Sequence, residues 1–161
     1  MKNESKIVEY LNTALRMEMT AQARYMLHSR LLTDWGFTGL AAKVAEEAAE
    51  ERGHAERFVD RILFLGGIPE VAMGEVRSSK SIKEMFKTDL ADEEEAVRYY
   101  TEAYKACTEA GDIGSQVIFH DLVLDEEGHA DWLQTELGLM EKLGEQNYLQ
   151  LQVSSASGTA V

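Results

Sequence analysis

The stretch Val44-Ala-Glu-Glu-Ala-Ala-Glu-Glu51-Arg-Gly-His54-Ala-Glu-Arg-Phe58-Val-Asp-Arg-Ile62-Leu-Phe-Leu65 carries the decisive pattern. Together with Leu40, its apolar residues Val44, Phe58, Ile62 and Leu65 recur at helical spacing, and Glu47, Glu51 and His54 fall on the same stripe. Carboxylates and an imidazole on the inward face of a helix are costly to bury unless something compensates them. The stretch stops at Gly66-Gly67-Ile68-Pro69, where glycine closes a helix and proline prevents its continuation.

Working outward, the same interruption appears in three more helical segments. The first runs from about Ser5 to Thr33, with Leu11, Glu18, Tyr25 and Leu32 seven residues apart, and Asp34-Trp35-Gly36 ends it. Ile7, Ala14 and Ala21 widen its apolar face. A third opens at Ser81-Ile-Lys-Glu84, a capping box, and carries Phe86, Leu90, Glu93, Val97, Tyr100 and Tyr104 as far as Gly111. Asp112 caps the fourth, which carries Phe119, Leu122, Glu126, His129, Leu133, Leu137 and Met140 before Gly144. Residues 66–80 are polar and aperiodic, a connection long enough to cross the bundle, so the second and third helices can run parallel. Glu145 to about Gln152 reads as a short fifth helix. The expectation is an all-α four-helix bundle with a long crossover between helices two and three. One domain covers 1–153, and the small, polar residues 154–161 form a disordered tail.

Composition supports helix and narrows the partners. There is one proline, and alternating strand patterns are absent. With 16 Lys and Arg against 29 Asp and Glu, the net charge of −13 leaves no basic patch to neutralise nucleic-acid phosphates. An acidic surface attracts cations instead. No apolar run approaches the roughly 18–20 residues of a membrane span, and no apolar signal core follows Met-Lys-Asn-Glu-Ser-Lys at the start. The lone Cys107 cannot form an internal disulfide, which suits a reducing cytoplasm.

The interruptions form one constellation. In antiparallel hairpins the mid-points of the helices come level, so Glu18, Glu51, His54, Glu93, Glu126 and His129 can meet at one height. The i, i+3 spacing puts Glu51 with His54, and Glu126 with His129, on one helix face. Among 21 glutamates a single Glu-x-x-His match is weak, but two on facing core stripes are much stronger. Four buried carboxylates need protons, cationic side chains or metal ions, and the stripes offer no Lys or Arg at that height. Two divalent ions would neutralise them. Oxygen-rich ligands with two imidazoles suit iron or manganese better than a thiolate-loving metal. Taken singly, either histidine would more simply be a packed core residue, and Glu18 or Glu93 a solvated one. Asp125 and Glu47 could accept from the imidazoles and orient them, or could equally be solvated.

Tyr10-Leu-Asn12, Glu18, Tyr25, Trp35-Gly36, Glu51-x-x-His54, Arg61-Ile-Leu-Phe-Leu65, Asp89-Leu-Ala91, Asp125-Glu-Glu-Gly-His129, Asp131-Trp-Leu133, Glu136 and Gln146-Asn-Tyr-Leu149 resemble bacterioferritin over nearly the whole chain. The resemblance implies a ferritin-like bundle in a cage of twenty-four subunits built from dimers. It implies a ferroxidase that oxidises Fe(II) to Fe(III) with dioxygen or peroxide at two irons per subunit and stores the mineral. In that pattern Glu51 and Glu126 bridge the irons, Glu18 and Glu93 are terminal ligands, and His54 and His129 bind one iron each. Tyr25, one heptad after Glu18, would bond to the site or donate an electron; its plain alternative is a core tyrosine. Asn147 and Gln150 would line a fourfold pore, and a ferredoxin-type reductant would release iron.

Two positions depart from the family. Haem is bound there by a methionine directly after the bridging glutamate of the second helix, and Arg52 stands at that position with no thioether to offer. No methionine-ligated haem is expected in a homo-oligomer, and the chain resembles di-iron subunits that co-assemble with a haem-binding bacterioferritin subunit. The second departure is Glu46, where the family often has a histidine linked to inner-surface iron. Glu46 and Glu50 could take that role or remain solvated. Competing readings are a rubrerythrin-like di-iron peroxidase, disfavoured by the lack of a Cys-x-x-Cys pair, and a non-catalytic subunit whose metals only hold the helices together.

Overall fold

Serine at 81 opens a helix because its hydroxyl accepts an N–H that the first turn leaves free. In the computed structural model, which describes residues 2–157 and the side chains of 6–153, Ser81 Oγ accepts from the Glu84 N–H at 3.1 Å. The Glu84 carboxylate in turn takes the Lys80 N–H at 3.0 Å. Five helices follow one another: α1 (Lys2–Asp34), α2 (Thr38–Phe64), α3 (Ile82–Ala110), α4 (Ile113–Leu143) and α5 (Glu145–Ser157). Asp112 caps α4 by accepting from the Ser115 N–H at 3.0 Å. The ends of α2 and α3 need left-handed residues, which Gly66 and Gly111 supply, each at φ 72°. The expected all-α architecture is present, with no strand among the described residues.

Side-chain pairs fix the directions of the helices. Tyr10 to Glu102 and Arg24 to Asp89 make α1 and α3 antiparallel. Arg57 to Asp121 and His129 to Glu50 do the same for α2 and α4. The connection between α2 and α3 follows α1: Asn12 donates to the Ile68 carbonyl at 3.1 Å, and Thr20 Oγ1 accepts from the Gly74 N–H at 2.9 Å. It therefore returns the chain to the end where α2 began, and α2 and α3 run parallel. No helix among the described residues is long and apolar enough to cross a membrane.

The core divides into two apolar clusters. One holds Leu11, Leu15, Phe58, Ile62, Tyr100, Phe119 and Leu122. The other holds Tyr25, Leu32, Val44, Phe86, Leu133, Met140 and, from α5, Tyr148. Burying each large side chain contributes about 1.5–3 kcal/mol. Tyr148 also donates its hydroxyl to Glu136, which ties α5 to α4. That helix extends beyond the Gln152 expected from the sequence; of the tail expected to be disordered, 154–157 lie within α5 and 158–161 lie outside the described residues. Between the clusters lies a layer of buried polar side chains.

Candidate metal centre

Each long helix contributes to the polar layer at the level its stripe dictates: Glu18 from α1, Glu51 and His54 from α2, Glu93 from α3, Glu126 and His129 from α4. All six are at least nine-tenths buried. Their ligand atoms form two groups of four, Glu18–Glu51–His54–Glu126 and Glu51–Glu93–Glu126–His129, each within 4.8 Å. Glu51 and Glu126 belong to both.

The shared carboxylates divide their oxygens between the two sides. Glu51 has Oε2 at 3.0 Å from His54 Nδ1 and Oε1 at 3.2 Å from His129 Nδ1. Glu126 has Oε1 at 3.1 Å from His54 Nδ1 and Oε2 at 3.0 Å from His129 Nδ1. Glu18 Oε2 lies 3.6 Å from His54 Nδ1, and Glu93 Oε1 lies 3.9 Å from His129 Nδ1. The imidazoles are near-parallel, 6.5 Å apart between ring centroids. Two carboxylates shared between the sides, with one further carboxylate and one imidazole on each, are thus the arrangement the side chains adopt.

The outer nitrogens of both imidazoles face carboxylates. His54 Nε2 is 3.2 Å from Asp125, while His129 Nε2 is 2.5 Å from Glu47 and 2.9 Å from Glu50. An outer carboxylate holds the ring with Nδ1 toward the centre and makes it a more basic ligand. Asp125 and Glu47 therefore stand where the sequence suggested. Glu50, read as an inner-surface or solvated group, is exposed and bonds to His129 at 2.9 Å. Glu46 is exposed, as are Asn147, which donates to the Leu143 carbonyl, and Gln150.

The electrostatics fit cations. Glu51 Oε1 and both oxygens of Glu126 are buried without a hydrogen-bond donor, a costly state that bound cations would relieve. The ion pairs of the four carboxylates are all to imidazoles. Burial, reinforced by the charges of Glu51 and Glu126, pushes the carboxyls of Glu18 and Glu93 well above the ordinary range. Glu51 and Glu126 move down despite burial, because the imidazoles of His129 and His54 lie close against them. Burial opposes charge on both imidazoles, but the surrounding carboxylates outweigh it and raise them. Two divalent ions would balance the charge of the four carboxylates beside neutral imidazoles.

A cavity of about 490 Å³ reaches the layer from the side of α1, α3 and the crossover residues 75–79. Glu18, Glu51, Glu93 and Glu126 lie on its wall with Arg16 and Arg24, and the imidazoles do not line it. Small reactants thus have a path to the carboxylates.

The structure also supplies what the stripes concealed. Tyr25 donates its hydroxyl to Glu93, so it bonds to the site as the sequence suggested. Tyr100, read only as a core residue, donates to Glu18. The available signal was a repeated spacing: each tyrosine follows the glutamate of its own helix, Glu18 or Glu93, by seven residues. Arg24, His28 and Asp89 form a buried polar group, with Arg24 Nε at 2.9 Å and His28 Nδ1 at 3.0 Å from the Asp89 carboxylate. A lysine also approaches the layer, since Lys43 pairs with Glu47. Neither appeared on a stripe because each needs a partner from another helix or a side chain reaching across. Arg52 lies on the exposed side of α2, paired with Glu56 at 3.0 Å.

Comparison with known proteins agrees with this geometry. The ferritin-like domain family matches residues 8–143. A bacterioferritin from Rhodobacter capsulatus is 44% identical over 152 residues, covering 94% of each chain. One from Brucella melitensis is 43% identical over 157 residues, 97% of this chain and 98% of that one. A solved structure of the Rhodobacter capsulatus bacterioferritin, described as having a metal-free dinuclear site and a heme iron in a crystallographic special position, matches with a TM-score of 0.89. That match is 44% identical and covers 92% of this chain and 93% of that one. The chain belongs to the ferritin-like domain family and, within it, to the bacterioferritins.

Proposed function

We propose that the chain is the iron-oxidising subunit of an iron-storage cage. Membership of the bacterioferritins supports iron storage. The observation that carries the oxidising role is the sharing of Glu51 and Glu126 between two imidazoles. Glu18 and His54 would hold one ferrous ion and Glu93 and His129 the other, with the shared glutamates between them. Two ferrous ions, as substrate, each lose one electron, so dioxygen can be reduced to peroxide, or peroxide to water, without releasing a one-electron oxygen species.

The protein's part is positional and electrostatic. Carboxylates favour the higher charge of ferric iron, and the apolar clusters on either side of the layer fix the helices that carry them. Asp125 and Glu50 bond to the outer imidazole nitrogens, with the Glu47 carboxylate beside His129, and hold the rings. By the same family reading, twenty-four subunits assemble from dimers around a mineral, and a ferredoxin-type reductant releases the iron. Arg52 offers no sulfur where the family's haem methionine stands, so haem, if present, comes from a co-assembled partner subunit. A rubrerythrin-like peroxidase or a purely structural metal layer would use the same residues, but no observation favours either.

Stopped-flow absorbance after adding two ferrous ions per chain to anaerobic protein, then oxygen, tests the reading. Rapid oxidation in the wild type and its loss in Glu18→Ala and His129→Ala are expected; unchanged oxidation in both variants would overturn it. Light scattering tests the assembly, because a stable particle of one dimer's mass contradicts a cage.

A further inference from the structure

A buried terminal carboxylate has two equivalent oxygens, and something must decide which one a metal receives. On α1 and α3, Glu18 precedes Tyr25, and Glu93 precedes Tyr100, by the same seven residues. Because α1 and α3 are antiparallel, the two tyrosines point back across the layer from opposite ends. Each reaches the glutamate of the other helix: Tyr25 donates to Glu93, and Tyr100 donates to Glu18 Oε1.

The Tyr100 brace is rigid. The residue is fully buried, its ring lying 5.9 Å from that of Phe58 and 5.8 Å from that of Phe119. These contacts restrict the ring, so the hydroxyl has little freedom except along the line to Glu18. Glu18 is itself only 1% exposed and, among the described residues, pairs with no Lys or Arg. With Oε1 taken by the phenol, Oε2 is the oxygen turned toward His54, 3.6 Å from Nδ1.

We propose that Tyr100 is a positioning residue of the metal centre: its hydroxyl occupies Glu18 Oε1 and so commits Glu18 to bind the His54-side metal through Oε2 alone. The inference rests on the metal-centre reading above. Binding through one oxygen leaves a coordination position on that metal open, on the wall of the cavity that Tyr100 shares with Glu18. Tyr100 touches neither metal nor oxidant; it acts through Glu18.

Cobalt(II) titration of the intact assembly, followed by ligand-field absorbance, tests this without any oxidation step. Tyr100→Phe keeps the ring contacts with Phe58 and Phe119, so the fold survives, which circular dichroism and the melting temperature of the metal-free protein verify. Tyr99→Phe is the control: it removes the neighbouring hydroxyl, whose bond to the Tyr10 carbonyl is 3.5 Å long and remote from the centre. Wild type and Tyr99→Phe are expected to bind two Co(II) per chain with the same spectrum. Tyr100→Phe should bind one of the two about tenfold more weakly, the lower end of effects reported for residues supporting metal ligands. Its band should also lose intensity as Glu18 turns to bind through both oxygens and the coordination number rises. Identical affinities and band intensities in Tyr100→Phe and Tyr99→Phe would overturn the proposal while leaving the metal-centre reading intact. Failure of the wild type to bind a pair of Co(II) ions would overturn both.

Discussion

The two ends of the bundle occupy equivalent positions of a near-repeated hairpin, yet they are built from opposite materials. Counting from Glu18 on α1 and Glu93 on α3, Asp89 corresponds to Ala14, Arg24 to Tyr99 and His28 to Ala103. Counting from Glu51 on α2 and Glu126 on α4, Glu47 corresponds to Leu122 and Lys43 to Ile118. At the Tyr25 end these positions hold a buried ion group and a carboxylate on His129. At the Tyr100 end they hold alanines, a tyrosine and aliphatic side chains packed around Phe58 and Phe119. The ligand layer needs only its six residues and two tyrosines to be matched; the walls behind it are free to differ. Beyond the carboxylates that face the outer imidazole nitrogens, one end of the layer is therefore backed by a buried ion group and the other by hydrocarbon.

The largest effect should come from breaking what the two sides share. Glu51→Ala removes an oxygen from each side, so isothermal titration with Zn(II) should show the loss of both tight sites, at least a hundredfold each, whereas Glu18→Ala should spare one. Retention of a single tight site in Glu51→Ala would contradict the sharing. At the hydrocarbon end, Phe58→Ala should destabilise the metal-free protein by about 3–5 kcal/mol in chemical denaturation, through the cavity it leaves.

At the charged end, Asp89→Ala should cost about 3 kcal/mol, because it removes the buried carboxylate that Arg24 and His28 share and leaves Arg24 only the more exposed Asp92. The paired replacement Arg24→Met with Asp89→Leu should recover most of that loss; a cost equal to the single change would mean that packing, not charge, holds that end together. Tyr25→Phe is the counterpart of the Tyr100 experiment and should weaken Co(II) at the His129 side about tenfold.

The smallest effect is pH-dependent and belongs to the rim of the hydrocarbon end. Burial raises the Asp112 carboxyl, but Ser115 and then Arg61 bond to it and hold it below the ordinary carboxylate range. A depressed value stabilises the folded chain above the unfolded pKa, about 3.9, and that contribution disappears as pH falls through the folded value. Asp112→Ala should thus cost about 1 kcal/mol at neutral pH, the usual worth of a helix cap, with the difference from wild type shrinking below about pH 4. Equal differences at both pH values would remove the linkage.

The sequence alone determined the four long helices, their caps and the level at which six polar residues meet. Helical periodicity and capping are local, so Leu11 to Leu32 or Leu40 to Leu65 reveal a buried face without reference to any other segment. It also placed Tyr25, Asp125 and Glu47 near the centre, because these residues share a stripe or helical turn with a ligand. Only the tertiary structure decided which oxygen of Glu51 or Glu126 faces which imidazole, that Glu50 serves His129, and that Tyr100 braces Glu18. Arg24, His28 and Asp89 are unremarkable on their own helices and become a buried group only when α1 and α3 pack antiparallel. The reason is physical: a stripe fixes which face of a helix turns inward, while the partner across the core depends on axial register and on the reach of side chains between helices.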